Sequence, residues 1–294
     1  MAQGMGVDDD RCLAMSLPTF VGIGAQKCAS TWIYDVLRDH PQVRLSECKE
    51  LDFFSYHYDR GYQWYERQFA GPGDTDVVGE VSPSYFHEPA VPERLRTYLP
   101  QAKVVVSLRD PVERALSHHR HAVRVGDIVG NDLSFESALA SNPMYLEQGC
   151  YATHLRRWFN HYPREQILVL LYEDIANEPV EAAQRIYRFL GVNPEHRSVS
   201  LEKRSNVSHV SPYVALEKTR KALRGAVRSV GLEKAWEWSA GLGVRRLYHQ
   251  LNRRPSNEAI PPVAERTVDE LRSFFQDEIV QLEQLIGRQM AGWR

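Results

Sequence analysis

Two hydroxyl side chains follow a lysine near the start of this 294-residue chain. Lys27 comes after the apolar and small residues F-V-G-I-G-A-Q, and Ser30 and Thr31 stand shortly after it. Backbone N–H groups at the start of a helix, together with the helix dipole, attract an anion, and a lysine adds a mobile positive charge. The segment therefore predicts a loop that binds a phosphate group.

This loop differs from the phosphate loop of nucleoside triphosphatases. That loop requires glycine directly before the lysine and serine or threonine directly after it. Here Gln26 precedes the lysine, and Cys28 and Ala29 separate it from the first hydroxyl. Such enzymes also carry a metal-binding aspartate at a strand end, whereas Arg109 follows the strand-like run K-V-V-V-S-L. A P-loop kinase or NTPase is the second hypothesis, and no metal site is predicted.

An arginine and a serine eight residues apart form a second candidate site. Arg109 follows the apolar run, Pro111 opens a helix, and Ser117 lies about two turns into that helix. A guanidinium and a hydroxyl placed in this way can converge on one phosphate, which arginine binds through two parallel hydrogen bonds. An ion pair between Arg109 and a carboxylate is the alternative interpretation.

Both segments resemble those of the sulfotransferases that use PAPS (3′-phosphoadenosine 5′-phosphosulfate), in particular the heparan-sulfate-type and bacterial carbohydrate enzymes. Residues 24–31 resemble the family's 5′-phosphosulfate loop, G-x-x-K-x-[GA]-[ST]-T, and R-D-P-x-x-R-x-x-S resembles its 3′-phosphate segment. The resemblance implies that Lys27 is catalytic and stabilises charge on the bridging oxygen. The donor-binding residues that it implies are Lys27, Ala29, Ser30, Thr31, Trp32, Arg109, Ser117, Lys203 and Arg204. Many relatives carry glycine in place of Ala29, and alanine is unstrained there only if its φ is negative.

The segment C-K-E-L-D-F-F supplies a candidate general base. Heparan-type relatives carry their catalytic glutamate in a K/N-E-x-H-F-F segment, which implies this role for Glu50, although Asp52 replaces the usual histidine. Phe53 and Phe54 are expected to anchor the segment in the core. A histidine, the base of cytosolic aryl and steroid sulfotransferases, is the alternative, but no histidine lies in the corresponding run G-E-V-S-P-S-Y. The residues of that run expected to line the acceptor pocket are Glu80, Ser82 and Tyr85.

These assignments predict an enzyme that moves the sulfuryl group of PAPS to a hydroxyl of a carbohydrate or another small molecule, leaving PAP, the desulfated donor. Sulfuryl transfer is chemically close to phosphoryl transfer, an in-line displacement in which positioning and charge stabilisation do most of the work. A lipid or natural-product hydroxyl is nearly as good a candidate acceptor. The third hypothesis is a non-catalytic relative that binds PAP without turnover.

Short apolar strands alternate with helical stretches in the first two thirds of the chain. The strand-like runs are residues 17–24, 76–81, 103–108 and 166–172, and the helical stretches are residues 30–38, 91–99, 111–125, 151–161 and 179–189. This alternation predicts a three-layer, P-loop-like α/β fold, in which helices flank a central parallel sheet and ligands bind at the carboxyl ends of its strands. The expected parts of this single domain are a flexible leader (1–16), a PAPS-binding core (17–212) and a helical C-terminal cap (213–294) packed on the core.

The composition is that of an ordinary globular protein, with 43% hydrophobic residues, 25% charged residues and a formal net charge of −2. That charge argues against a nucleic-acid partner for the chain as a whole, although residues 201–255 carry a positive excess. The four cysteines form neither a C-x-x-C pair nor a metal-binding spacing. No apolar run approaches the about 20 residues of a membrane span, and the first residues lack a signal-peptide pattern. A cytoplasmic location is therefore expected.

Overall fold

The computed structural model describes residues 17–69, 77–128, 133–201, 209–210, 254–255 and 260–293. Its strands are β1 (Phe20–Gly24), β2 (Val43–Leu45), β3 (Val77–Val81), β4 (Lys103–Leu108), β5 (Ile167–Leu171), β6 (His209–Val210) and β7 (Arg254–Pro255). Its α-helices are α1 (Ser30–Arg38), α2 (Tyr62–Arg67), α3 (Val91–Tyr98), α4 (Pro111–Val125), α5 (Phe135–Ser141), α6 (Met144–Glu147), α7 (Tyr151–His161), α8 (Tyr172–Asn177), α9 (Pro179–Leu190) and α10 (Glu265–Ile286).

Five parallel strands form one sheet in the order β2-β3-β1-β4-β5. Phe20 of β1 pairs with Gly79 of β3 on one side and with Lys103 of β4 on the other. The two strands approach closely at Gly79, where a Cβ would lie 2.5 Å from the carbonyl oxygen of Phe20, so that only glycine fits. Every residue of β1 is buried, as expected for a central strand covered on both faces. The parallel sheet with its flanking helices confirms the predicted α/β fold.

Helices α1 and α9 share a hydrophobic core with the sheet. Trp32 and Val36 of α1 and Ile186 of α9 belong to the same buried cluster as Phe20 of β1 and Leu170 of β5. Apolar residues three and four positions apart lie on one face of a helix, so each helix turns its apolar stripe to this core. The packing fixes the direction in which α1 leaves the loop that follows β1.

The chain divides into two compact units. The first unit consists of residues 1–108 and 156–203 and contains the parallel sheet. The second unit consists of residues 109–155 and 204–294. Within the second unit, Leu271, Phe275, Ile279 and Leu282 form a buried stripe along α10. Gly149 lies against that stripe, since a Cβ there would be 2.6 Å from the ring of Phe275.

The structure differs from the sequence-based expectations mainly in short elements. The pattern does not predict β2, because three residues are too few to show a period. No strand is expected after residue 213, yet Arg254–Pro255 pairs with His209–Val210 in an antiparallel bridge. The expected leader and the boundary between residues 212 and 213 lie outside the described residues, so the predicted domain division stays a prediction. Among the helices described, none combines the length and the apolar composition that crossing a membrane requires.

Candidate active site

The loop that carries Lys27 joins the carboxyl end of β1 to the start of α1. The Ala25 N–H donates to the carbonyl oxygen of Ser107 at 2.8 Å. The hydroxyl of Ser107, which is fully buried in β4, lies 3.3 Å from the carbonyl oxygen of Gly24 and also contacts that of Cys28. Ser107 therefore ties both the beginning and the middle of the loop to the neighbouring strand.

Three residues of this loop have positive φ values: Gly24 (+131°), Lys27 (+69°) and Ala29 (+71°). A Cβ at Gly24 would lie 2.7 Å from the carbonyl oxygen of Pro83, so glycine is required there. A left-handed conformation costs a residue with a Cβ about 1–2 kcal/mol. The negative φ that an unstrained alanine needs is therefore not met at Ala29, where the glycine of many relatives would be relaxed.

Helix α1 begins in a way that suits an anion. Its N-terminal N–H groups have no side-chain cap, and its first turn contains no acidic residue. Lys27 and Thr31 are half-buried and Ser30 is buried. Because the helix dipole is positive at this end, an anionic group placed there is stabilised. The side chain of Trp32 instead packs in the core between α1 and α9, so its contact with a phosphate stays a prediction.

Main-chain hydrogen bonds hold residues 46–54, here named the base segment, along β3. The Ser46 N–H donates to the carbonyl oxygen of Gly79 at 2.9 Å. The Glu50 N–H donates to the carbonyl oxygen of Val81 at 3.1 Å. Because these bonds use main-chain atoms, they set the path of the segment regardless of the side chain that Glu50 carries.

The base segment is buried at one end and open at the other. Phe53 and Phe54 are fully buried, which confirms the expected anchor. The side chain of Glu50 is 52% exposed and contacts the ammonium of Lys49. A general base must be within reach of the proton that it removes. The exposure of the Glu50 carboxylate leaves it open to an acceptor from solution.

A fully buried carboxylate lies behind the base segment. Glu80 of β3 has no exposed surface. It accepts hydrogen bonds from the hydroxyls of Tyr65 (2.7 Å), Ser82 (2.7 Å) and Tyr85 (3.0 Å). Burial raises the pKa of Glu80 to about 7, an effect that the three hydroxyl donors oppose. Ser82 and Tyr85 are fully buried as well, and contact of these residues with an acceptor stays a prediction.

Asp52, which replaces the histidine expected from the resemblance, is hydrogen-bonded to two residues outside the base segment. Its carboxylate accepts a hydrogen bond from the Ser84 hydroxyl at 2.6 Å, and its N–H donates to the Ser82 hydroxyl at 3.1 Å. Burial raises the pKa of Asp52, and the hydrogen bond from Ser84 opposes this effect. Asp52 therefore links the base segment to the turn that follows β3.

Arg109 and Ser117 belong to the second unit, at the start of and along α4. The helix begins at Pro111, as predicted, and the Asp110 carboxylate caps it by accepting two N–H bonds of the first turn at 2.8 and 3.2 Å. The guanidinium of Arg109 donates to the Glu113 carboxylate at 3.1 Å. The ion pair that the sequence leaves open as an alternative is therefore present, on the same helix that carries Ser117.

A further arginine, which belongs to none of the motifs described above, faces the same carboxylate. The guanidinium of Arg120 lies 3.9 Å from the Glu113 carboxylate. Glu113, Ser117 and Arg120 follow one another at positions i, i+4 and i+7, which share one face of a helix. The guanidinium of Arg109 lies at that face as well, because it forms an ion pair with Glu113. Two guanidinium groups and a hydroxyl thus lie along one side of α4, and helical spacing is the signal that could have identified Arg120.

Arg114 and His119 are buried inside the second unit. Arg114 donates to the Gln148 side chain at 3.0 Å and to the carbonyl oxygen of Tyr145. The Nε2 of His119 lies 2.9 Å from the carbonyl oxygen of Leu133. Both are engaged in packing, so His119 lends no support to the histidine alternative for the base. Lys203 and Arg204 lie outside the described residues.

Comparisons with known proteins agree with this arrangement. Residues 18–224, more than half of the chain, match the family model described as "Sulfotransferase domain". The chain is 34% identical over 197 residues to the human bifunctional heparan sulfate N-deacetylase/N-sulfotransferase 2, covering 60% of this chain and 22% of that protein. It is 30% identical over 209 residues to the Drosophila melanogaster bifunctional heparan sulfate N-deacetylase/N-sulfotransferase, covering 61% and 20%. The chain thus spans about a fifth of the length of the curated relatives it matches.

Among solved structures, a sulfotransferase from Alicyclobacillus acidocaldarius has the same fold. The two chains superpose with a TM-score of 0.68 at 24% sequence identity, over 95% of this chain and 99% of the other. The family match includes the Lys27 loop, the base segment and α4, the three places where the sequence predicts chemistry. The match favours a sulfotransferase over the kinase and NTPase hypothesis. The chain therefore belongs to the sulfotransferase domain family.

Proposed function

We propose that this chain transfers the sulfuryl group of PAPS to a hydroxyl of a carbohydrate or another small molecule, with Glu50 as the general base. One observation carries this proposal. The uncapped helix start behind Lys27 follows β1, the accessible carboxylate of Glu50 is held along β3, and β1 and β3 are adjacent in the sheet. A group that binds the donor and a group that accepts a proton are thus supported by neighbouring strands.

Lys27, Ser30 and Thr31 bind the 5′-phosphosulfate end of the donor in this proposal. Arg109 and Ser117 bind its 3′-phosphate. Strands β1 and β4 are adjacent and parallel, so their carboxyl ends are neighbours, and Lys27 and Arg109 follow those two ends in the sequence. Parallel α/β sheets bind their ligands beyond these strand ends. The proposed donor-binding residues also include Ala29, Trp32, Lys203 and Arg204.

The reaction requires one proton transfer and one displacement. The acceptor oxygen attacks the sulfur while the bond between sulfur and the bridging oxygen breaks, and PAP leaves with the charge of that oxygen. Glu50 takes the proton of the acceptor, and the ammonium of Lys27 stabilises the charge that develops on the bridging oxygen. A positioned base contributes about 10²–10⁴-fold to such a step, and one fixed donor at the developing charge contributes about 10²–10³-fold.

An amino group is a second candidate acceptor. The curated relatives are named as heparan sulfate N-sulfotransferases, and they are 30–34% identical to this chain over about 200 residues. An amine that attacks the sulfur must also lose a proton, so the same carboxylate can serve either acceptor. Incubating the protein with labelled PAPS and either de-N-sulfated heparin or its N-acetylated form distinguishes the two. Label on the N-acetylated form identifies a hydroxyl acceptor, and label restricted to the free-amine form identifies an amino acceptor.

Three variants test the donor and base assignments. Lys27→Ala and Arg109→Ala are expected to abolish transfer from labelled PAPS and to weaken binding of PAP in calorimetry. Glu50→Gln is expected to bind PAP normally and to lose about 10²–10⁴-fold in turnover. Glu47→Gln is the control, because it removes the same charge from an exposed position of the base segment. Full activity of Glu50→Gln would refute the base assignment.

Two other assignments belong to the same proposal. PAP binding without transfer to any hydroxyl or amine would favour the non-catalytic relative, which is the remaining alternative. The cytoplasmic location also stays a prediction, and fractionation of cells that express the full-length protein tests it. Recovery of the protein with membranes or outside the cell would contradict it.

A further inference from the structure

Two hydroxyl groups connect the buried Glu80 carboxylate to the main chain of the base segment. The Ser82 hydroxyl donates to Glu80 Oε2 at 2.7 Å and accepts the N–H of Asp52 at 3.1 Å. The Tyr85 hydroxyl donates to Glu80 Oε1 at 3.0 Å and accepts the N–H of Phe54 at 3.3 Å. Each hydroxyl thus points its single proton at the carboxylate and turns its oxygen to a main-chain donor.

The direction of these hydrogen bonds requires Glu80 to be ionised, the state that predominates above its raised pKa of about 7. An ionised carboxylate cannot donate, so the hydroxyls of Tyr65, Ser82 and Tyr85 all direct their protons towards it. An amide at this position would carry an NH₂ group that donates. At least one hydroxyl would then receive a proton from the amide and lose its acceptor for its own. Where that hydroxyl belongs to Ser82 or Tyr85, its proton is no longer directed at residue 80, and the hydrogen bond that its oxygen accepts from the base segment is weakened.

The base segment has a conformation that needs such support. Glu50 and Asp52 have φ values of +63° and +50°, in the left-handed region that residues with a Cβ avoid. Such conformations persist only where the surrounding structure imposes them. Three hydrogen bonds bracket the two residues: the bond from Glu50 to β3, and the two bonds that the Ser82 and Tyr85 hydroxyls accept.

We propose that Glu80, acting through Ser82 and Tyr85, is the positioning residue that holds the side chain of Glu50 in place for catalysis. This inference rests on the proposed function, in which Glu50 is the base. All three residues are fully buried, so they act on the reaction through the main chain of the base segment. The hydroxyl of Tyr65 also donates to Glu80 and links it to α2. Glu80 and its three hydroxyl partners are here named the Glu80 hub.

The experiment compares two single variants, Glu80→Gln and Tyr85→Phe, with the single variant Tyr162→Phe as a control. Tyr162 is a buried tyrosine whose hydroxyl donates to the carbonyl oxygen of Leu99 at 2.9 Å and not to Glu80. Hydrogen exchange of the Asp52 and Phe54 amides is measured by NMR near pH 8, above the raised pKa of Glu80. In parallel, kcat and KM are measured with labelled PAPS and whichever form of heparin accepts the label, and PAP affinity is measured by calorimetry.

In both test variants, hydrogen exchange is expected to become about fivefold faster at the amide that loses its acceptor. This factor corresponds to the net free energy that one hydrogen bond contributes. We expect kcat to fall by about 10- to 100-fold, because a small misplacement of a catalytic group has this effect. PAP affinity and KM should change by less than about twofold, which separates a positioning role from a general loss of structure. Tyr162→Phe should change neither exchange nor kcat by a comparable factor.

Two results overturn the inference, and they are separable from failure of the proposed function. Unchanged exchange at both amides in Glu80→Gln means that Glu80 does not hold the base segment, whatever the activity of Glu50→Gln. A kcat no lower than that of Tyr162→Phe also rejects the positioning role. Faster exchange combined with full activity of Glu50→Gln rejects the base assignment instead. If Glu80→Gln does not fold, Ser82→Ala decides by the same measurements, because it removes the acceptor of the Asp52 N–H together with one of the three hydroxyl donors to Glu80.

Discussion

The stability of the protein is expected to decrease with rising pH in a way that Glu80 controls. Burial raises the pKa of Glu80 from an ordinary value of 4.5 to about 7. Between these two pH values the folded protein holds a proton at Glu80 that the unfolded chain has released. Because the folded state then binds more protons, the free energy of unfolding falls as the pH rises from about 4.5 to about 7. Below and above this pH range, Glu80 does not change how the free energy of unfolding depends on pH.

The size of this effect follows from the two pKa values. A difference of about 2.5 pKa units corresponds to about 3 kcal/mol, at 1.36 kcal/mol for each unit. In Glu80→Gln the side chain does not titrate, so this contribution is absent. The stability difference between wild type and variant should therefore be largest near pH 4.5 and smaller by about 3 kcal/mol near pH 8. Asp52, whose pKa is also raised by burial, titrates in both proteins, so its contribution largely cancels in the difference.

Urea unfolding at several pH values between about 4.5 and 8 measures this difference, and Tyr162→Phe is again the control. The free energy of unfolding of Tyr162→Phe should differ from that of the wild type by the same amount at every pH. Parallel curves for wild type and Glu80→Gln would show that the carboxyl of Glu80 titrates alike in the folded and unfolded protein. A difference that grows with pH would show that folding lowers the pKa of Glu80. Either result refutes the reasoning.

Two further predictions concern the loop that binds the donor. Ala29→Gly should raise the free energy of unfolding by up to about 1 kcal/mol, because glycine adopts the observed φ of +71° without strain but loses more chain entropy on folding. Urea unfolding tests this, and a destabilised variant would contradict the left-handed conformation. Gly24→Ala should destabilise the protein by more than about 2 kcal/mol and weaken PAP binding, since its Cβ would lie 2.7 Å from the carbonyl oxygen of Pro83. Calorimetry with PAP and urea unfolding check it, and wild-type values in both would refute the close contact.

The sequence predicts those parts of the site whose residues are close along the chain. Lys27, Ser30 and the start of α1 fall within a few residues, and helix signals such as Pro111 mark where α4 begins. These features depend on local spacing and on turn chemistry. The central parallel sheet is likewise predicted from short β-branched runs, whereas β2 is too short to show its period.

Features that depend on distant residues meeting in space are not predicted. The Glu80 hub needs Tyr65 of α2, and its effect reaches Asp52 through Ser82, across about thirty positions of sequence. Burial of a carboxylate is also contrary to what its residue type suggests. The left-handed φ of Ala29 occurs in a loop that is tied to Ser107 of β4. Alanine itself does not indicate this φ, and only the glycine expected from the resemblance points to it.

The hydrogen bonds that hold the base segment to β3 have one practical consequence. They run between main-chain atoms of Ser46, Glu50, Gly79 and Val81, so exchanging the carboxylate of Glu50 for an amide leaves the scaffold around it intact. A variant of this kind should form a stalled ternary complex with PAPS and the acceptor. Such a complex would let the unknown acceptor be captured from a mixture and seen in a crystal.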